Sequence, residues 1–328
     1  MKQQRYGQAI RLASTLDMPR DIWLKLRQQG IGSSDAAVAV GLSPYKSPLS
    51  LWLEKTGRKQ PADLSSKEAV AWGTILEPVL ATVYAQRTGR KVRRVNAVLQ
   101  HPEHPHLLAN LDREVVGLPE GPGILEIKTA SYHSAPQWEE SVPVAYQCQV
   151  LHQLAVTGHA WADVAVLIGG QDFRIYRIER DDNKIADLLA READFWRCVE
   201  QDIQPEPDGS ADAASALQWL YPQDDGQSVD FTDSPDLNRL FCELLNVRHT
   251  LEEVESQEAN LRQQLQNALG PASCGLFEGG RIAWKRTKDR QATDLDRLSA
   301  EHPEILQRYV KSIAGTRRFM VYPDRGSA

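Results

Sequence analysis

The sequence predicts an α/β fold in which a mixed sheet carries helices on its faces, and three observations point there. Strand-like runs at 92–99 (VRRVNAVL), 107–116 (LLANLDREVV) and 124–129 (ILEIKT) follow one another with short breaks. A helical run at about 143–157 separates them from two more strand-like runs, 162–168 (ADVAVLI) and 173–178 (FRIYRI). Long helical patterns bracket this block at 66–88 and 182–202. Strands joined by turns pair antiparallel and a strand reached through a helix can lie parallel, so a mixed sheet is expected.

In chain order, the first 30 residues read as helical, with DIWLKLRQQG closing on Gly30 as a C-cap. Ser33-Ser34-Asp35 reads as the N-cap of a short helix, and SPLSLWLEKTG repeats the scheme up to Gly57. The 66–88 helix places Trp72, Leu76, Val79, Leu80 and Val83 on one side and stops at Gly89. Trp52, Trp72 and Trp138 are expected in the core. Proline, glycine and acids in IQPEPDGSAD (203–212) mark a domain edge. Beyond it, leucines and valines from Leu237 to Leu265 follow 3–4 spacing up to Gly270-Pro271. That is a helix of about 35 residues whose apolar seam either pairs with another chain or folds back. A hairpin signal follows in GLFEGGRIAWKRT, turning at Gly279-Gly280. The expected organisation is a catalytic domain over 1–203, an acidic linker region over 204–234, and a helix-plus-hairpin extension over 235–328.

Composition narrows the function classes. The 328 residues are 41% hydrophobic and 25% charged, values of a soluble globular chain rather than a disordered or collagen-like one. No apolar run approaches the roughly 20 residues a membrane helix needs, and the start of the chain lacks a secretory signal, so a cytoplasmic protein is expected. Four widely spaced cysteines without CxxC argue against a disulfide framework or a clustered zinc site. Residues 200–258 hold 15 acidic and two basic side chains, which leaves the rest of the chain at about +7 despite a net charge of −6. A basic body with an acidic segment is compatible with a polyanionic ligand.

The chemistry is concentrated in Leu125-Glu126-Ile127-Lys128-Thr129. In a strand, Glu126 and Lys128 share one face while Leu125 and Ile127 take the other. Alone, such a pair is a surface ion pair. Across a Pro/Gly turn at 118–123, however, an antiparallel hairpin brings Asp112 beside Glu126. Two carboxylates that close repel unless a divalent cation lies between them, and Mg²⁺ favours such oxygen donors. Glu77, next to Pro78, interrupts the apolar side of its helix. An acid on a helix, an acid on a strand and Glu-x-Lys on the next strand is the spacing of the PD-(D/E)XK restriction-endonuclease-like core.

The segments WLKLRQQGIGSSDAAVAVGLSPYKSPLSLWLEKTG, WGTILEP, LANLDREV, LEIKTA and YQCQVLHQLAVTG add specificity. In order and spacing they resemble the YqaJ-like viral recombinases of the phage lambda exonuclease family, over roughly residues 20–200. The resemblance implies that Asp112, Glu126 and the backbone carbonyl of Ile127 ligate Mg²⁺, with Mn²⁺ able to substitute. Glu77 would complete the site for one or two ions. Lys128 would orient and help deprotonate the attacking water, Gln149 would hold Lys128 or that water, and Gln153 is a further candidate on the same helical face. Arg27 and Ser34, with Ser33, match positions that grip a 5′-terminal phosphate. Arg113 stands where many relatives have glycine, which leaves the ligand intact but either alters the turn or adds a phosphate contact; Leu111 replaces the literal proline.

Taken whole, the resemblance implies a Mg²⁺-dependent 5′-to-3′ exonuclease on linear double-stranded DNA that leaves 3′ overhangs for phage-type recombination. It further implies a phage or prophage origin, a ring-shaped homotrimer and a single-strand annealing protein as partner. Arg90, Lys91, Arg93 and Arg94 are candidate contacts to the DNA backbone. A second basic cluster, residues 281–290, surrounds Trp284, and His101, His104 and His106 are expected in a structural loop. Two other readings stand beside the exonuclease. One is an endonuclease or nickase, against which an end-reading Arg27/Ser34 pocket argues. The other is a catalytically silent DNA-binding scaffold, against which the complete set Glu77, Asp112, Glu126 and Lys128 argues.

Overall fold

The computed structural model describes residues 5–63 and 66–323. It divides into two compact units, the chain up to Leu220 and the chain from Tyr221 on.

The first unit opens with strands rather than the expected helix. β1 (Arg5–Tyr6) and β2 (Ala9–Ser14) pair antiparallel around a two-residue turn at Gly7-Gln8. Gly7 sits at φ +57°, and a Cβ there would come within 2.7 Å of the Thr157 carbonyl oxygen, so this turn belongs to glycine. Helix starts at α1 (Arg20–Gln28), whose cap is Gln29 rather than Gly30. Gly30 serves a different need: its backbone passes so close to His106 that a Cβ would lie 2.4 Å from the carbonyl oxygen. β3 (Ile31–Gly32), a 3-10 turn at Ser33–Asp35 and α2 (Ala36–Ala39) follow. α3 (Pro48–Lys55) is capped by the Ser47 hydroxyl, which accepts the Ser50 N–H at 3.2 Å.

α4 (Glu68–Thr88) ends at Gly89 in the left-handed conformation. Its buried face is Leu80, Ala81 and Tyr84. Trp72, expected in the core, is 54% exposed, while Trp52 and Trp138 are buried as expected. The next two expected strands each split in two. β4 (Lys91–Arg93) and β5 (Ala97–Gln100) replace the first; β6 (Leu107–Ala109) and β7 (Arg113–Val116) replace the second. β8 (Gly123–Ala130), α5 (Val144–Thr157), β9 (Trp161–Ile168), β10 (Asp172–Glu179) and α6 (Asp182–Glu200) lie close to their expected positions.

The split has a topological cause: there are two mixed sheets, not one. The first runs β1-β2-β5-β6-β3 and the second β10-β9-β8-β7-β4, with β3/β6 and β8/β9 the parallel pairs. The chain therefore changes sheets at 94–96 and again at 110–112. Asn110 ties the second crossing to the first strand pair by donating to the Ala97 carbonyl at 3.0 Å. One face of the second sheet, with Leu125, Ile127, Trp161 and Ala165, packs on Leu80 and Tyr84 of α4. The other, with Ile124, Ala162, Val164 and Val166, packs on Val150 and Leu154 of α5. The result is a helix–sheet–helix sandwich whose alternation along β8 sends Glu126 toward α5.

Within the segment expected as a linker, Ala211–Leu220 form α7. Its Ala216 packs with Leu49, Trp52 and Leu53 of α3, and its Asp212 accepts the Ser47 N–H and hydroxyl at 2.8 Å. The second unit contains α8 (Pro235–Leu269), a hairpin of β11 (Cys274–Phe277) and β12 (Gly280–Ala283), and short helices α9 (Leu295–Glu301) and α10 (Pro303–Gln307). No residue of α8 is buried.

Candidate active site

β7 and β8 pair antiparallel with Arg113 opposite Leu125 and Glu114 opposite Ile124. One step further along that register, Asp112 stands opposite Glu126. The Ile127 N–H donates to Asp112 Oδ2 at 2.8 Å, fixing the carboxylate at the mouth of the crossing between sheets. Glu126 is buried and both its oxygens are occupied. Oε1 accepts from Lys128 Nζ and Gln149 Nε2, each at 2.6 Å, and Oε2 accepts from Gln153 Nε2 at 2.8 Å. Lys128 Nζ also donates to Gln149 Oε1 at 3.0 Å and lies 4.9 Å from the Tyr146 ring centre. Gln149 and Gln153, one turn apart on α5, thus form a ridge over Glu126.

The electrostatics follow from this packing. Burial, reinforced by the Glu126 carboxylate, pushes the Asp112 carboxyl well above the ordinary range. Burial works against the Lys128 ammonium, but Glu126 and Asp112 outweigh it and hold its pKa up. The donor set is two carboxylates on adjacent strands, all hard oxygen, beside the main chain of Ile127. Its chemistry fits a divalent cation such as Mg²⁺.

Glu77 and Arg113 are bonded to one another. Arg113 pairs with Leu125, so its side chain takes the α4 face of the sheet rather than the Asp112 face. There it is 6% exposed and donates to Glu77 Oε1 at 2.6 Å. Arg113 is therefore an internal partner of Glu77 and not a surface phosphate contact. Among the described residues, no group of three or more His, Cys, Asp or Glu side chains is arranged to hold a metal.

A second charged cluster lies at the start of the fold. Arg27 Nη2 donates to Ser34 Oγ and to Asp35 Oδ1, both at 2.8 Å. Lys55 Nζ donates to Asp35 Oδ2 at 2.8 Å and to the Arg27 carbonyl at 2.7 Å. The Ser34 side is exposed, while Ser33 and Asp35 are buried. Burial disfavours the Asp35 carboxylate, yet Arg27 and Lys55 hold its pKa far below the usual range. The sequence singles out Arg27 and Ser34 of this cluster but not the charged partners Asp35 and Lys55 that the structure adds to it. Their signal was the acid closing Ser-Ser-Asp and a lysine that turns inward at the end of α3.

Of the expected DNA-backbone residues, Arg90 is tied to Asp163 and Tyr84, and Arg93 to Glu114. Lys91 and Arg94 are exposed and have no ion-pair partner among the described residues. The three histidines form a local cluster, His101 tilted against His104 and His104 edge-on to His106. His101 Nδ1 accepts the N–H groups of Glu103 and His104, and His106 lies on Trp196 with ring centres 5.8 Å apart. No helix of the described residues is long and apolar enough to cross a membrane.

The model of the YqaJ-like viral recombinase domain matches residues 22–160. The uncharacterized protein YqaJ of Bacillus subtilis (strain 168) is 36% identical over 313 residues, spanning 94% of this chain and 96% of that one. Among solved structures, the alkaline exonuclease LHK-Exo of Laribacter hongkongensis matches at 23% identity and a TM-score of 0.46, over 56% of this chain and 94% of that one. A phage-related exonuclease from Haemophilus somnus 129PT matches at 11% identity and 0.39, over 55% and 98%. The sequence match across almost the full length of both chains, together with a domain model that spans Arg27, Asp112, Glu126, Lys128 and Gln149, settles the family: the chain belongs to the YqaJ-like viral recombinases.

Proposed function

We propose that the chain is a Mg²⁺-dependent exonuclease that degrades one strand of linear double-stranded DNA from a 5′ end. The observation that carries this reading is the opposition of Asp112 and Glu126 across β7 and β8, with Lys128 and Gln149 locked onto Glu126. Asp112, Glu126 and the carbonyl of Ile127 would hold the cation; Mn²⁺ has the same preference for oxygen and would substitute. When bound, the cation makes a coordinated water more acidic and neutralises charge that builds on the phosphate.

The chain's own groups do the rest. Gln149 and Gln153 fix the Glu126 carboxylate so that it does not rotate away from the scissile phosphate. Lys128 carries three N–H donors, two of them committed to Glu126 and Gln149. The third remains for the attacking water or a phosphate oxygen. Glu77, kept at the edge of the site by Arg113, would swing in for a second ion.

The 5′ direction is supported by the Arg27 cluster. Two cations there share one carboxylate, so a net positive charge remains beside an exposed hydroxyl, suited to a terminal phosphate. Lys91 and Arg94 would follow the duplex backbone. A single-strand annealing protein is the natural consumer of the 3′ overhang. Digestion with Mg²⁺ of 5′-phosphorylated linear, 5′-hydroxyl linear and closed circular duplex tests this reading. Loss of the 5′-phosphorylated linear substrate first, with circles spared, is expected. Cutting of circles would move the assignment to an endonuclease, and no cleavage at all would leave a DNA-binding protein.

A further inference from the structure

Counting α8 in heptads from Leu237 as position a, every a and d position through Ala268 is apolar except Glu258. That is a coiled-coil seam 32 residues long, about 48 Å at 1.5 Å per residue. Yet it is uncovered: Leu240, Val247, Leu251, Val254 and Leu261 are all more than half exposed. A seam of this length in water marks an interaction surface.

The charges along its flanks say what covers it. α8 carries six acids and three arginines, so a nucleic acid is repelled. Within the helix, Arg239 pairs with Asp236 and Arg262 with Glu258, and His249 Nε2 lies 3.5 Å from a Glu253 carboxylate oxygen. Arg248 and Glu255, both at position e, have no ion-pair partner among the described residues. In an antiparallel pair of identical helices, e positions face e positions and a faces d. Full overlap of two copies sets Leu251 against Val254 of the second copy and Leu237 against its Ala268. The same register places Arg248 beside Glu255 of the second copy, twice by symmetry. Glu258 then meets Val247 of the second copy and keeps its bond to Arg262. A parallel pair would instead bury Glu258 against its own twin, two like charges on the axis.

We propose that α8 is an antiparallel dimerisation helix whose partner is a second copy of this chain, held by the apolar seam and keyed by Arg248 and Glu255. The full chain is then at least twice as heavy in solution as a variant whose seam is broken. Sedimentation equilibrium on wild type and on Leu251→Asp/Val254→Asp is expected to show the mass halved by the substitutions. Arg248→Glu is expected to weaken association at least tenfold, and Arg248→Glu/Glu255→Arg to restore it, which loss of helix folding would not do.

Orientation is read by disulfide trapping, with exposed Cys242 and Cys274 replaced by serine. Leu237→Cys/Ala268→Cys is expected to cross-link into a covalent dimer, and neither single variant to do so. Three results would overturn the proposal: equal mass for wild type and seam variant, cross-linking of Leu237→Cys alone, or no rescue by the double charge swap.

Discussion

The two charged clusters of the first unit are built from the same kinds of group in opposite ratio. At Asp112, Glu126 and Lys128, two carboxylates lean on one ammonium. At Arg27, Asp35 and Lys55, two cations lean on one carboxylate. In each the shared carboxylate, Glu126 or Asp35, is buried, so the solvent only partly dissipates the imbalance. The first is left short of positive charge and suits a cation; the second is left short of negative charge and suits a phosphate. A hydrolase that reads a DNA end needs both at once, and the contrast makes them separable by mutation.

The sharpest way to break the comparison is at Glu126, where all three of the lysine and glutamine donors converge. Glu126→Ala is expected to lower the rate of linear duplex digestion by at least about 10³-fold, some 4 kcal/mol of transition-state stabilisation. DNA binding measured without metal should persist. A fall of only severalfold would mean that the carboxylate is structural.

Next in size is Asp35, which answers to stability instead of rate. Asp35→Asn leaves Arg27 and Lys55 facing one another without their shared anion, an expected loss of about 3 kcal/mol in denaturant unfolding. The wild-type pH profile carries the same signature. Because its folded pKa is depressed, the Asp35 contribution is present above its unfolded pKa of about 3.9. It is lost as pH falls below that value toward the folded one. The variant should show a flatter stability profile in that acid window.

Arg27→Ala comes third. The rate advantage of 5′-phosphorylated over 5′-hydroxyl ends should drop about tenfold, the worth of a charge-assisted hydrogen bond of roughly 1.5 kcal/mol. Cleavage of 5′-hydroxyl ends should change little. If both substrates slow equally, Arg27 holds the fold and not the phosphate.

How much of this was legible in the sequence differs between neighbours in the chain. The Asp112–Glu126 opposition was, because strand alternation and one Pro/Gly turn fix a hairpin's register locally. Arg113, the very next residue, was not: its destination depends on which face of the sheet α4 covers, and that is a tertiary fact. The continuous strand propensity of 92–99 and 107–116 also concealed the two crossings between sheets, since propensity says nothing of which neighbour a strand finds. The opening strands β1 and β2 are too short to outweigh the helical pattern that follows them. The seam of α8 was the most legible element of all, because a heptad depends on the helix alone.

The smallest effect separates function from stability within the first cluster. Asp112→Asn keeps the side-chain shape and an oxygen able to accept the Ile127 N–H. It removes one of the two buried like charges, so in the absence of divalent cations the variant should be more stable than wild type. A gain of about 1 kcal/mol, or some 2–4 °C in Tm for a unit of this size, is the expected scale. Mg²⁺ should then raise the Tm of wild type but not of Asp112→Asn, because the two-carboxylate donor set is incomplete in the variant. A variant less stable than wild type without metal would mean that Lys128 and the Ile127 N–H already balance both carboxylates, and the proposed shortage of positive charge would fall with it.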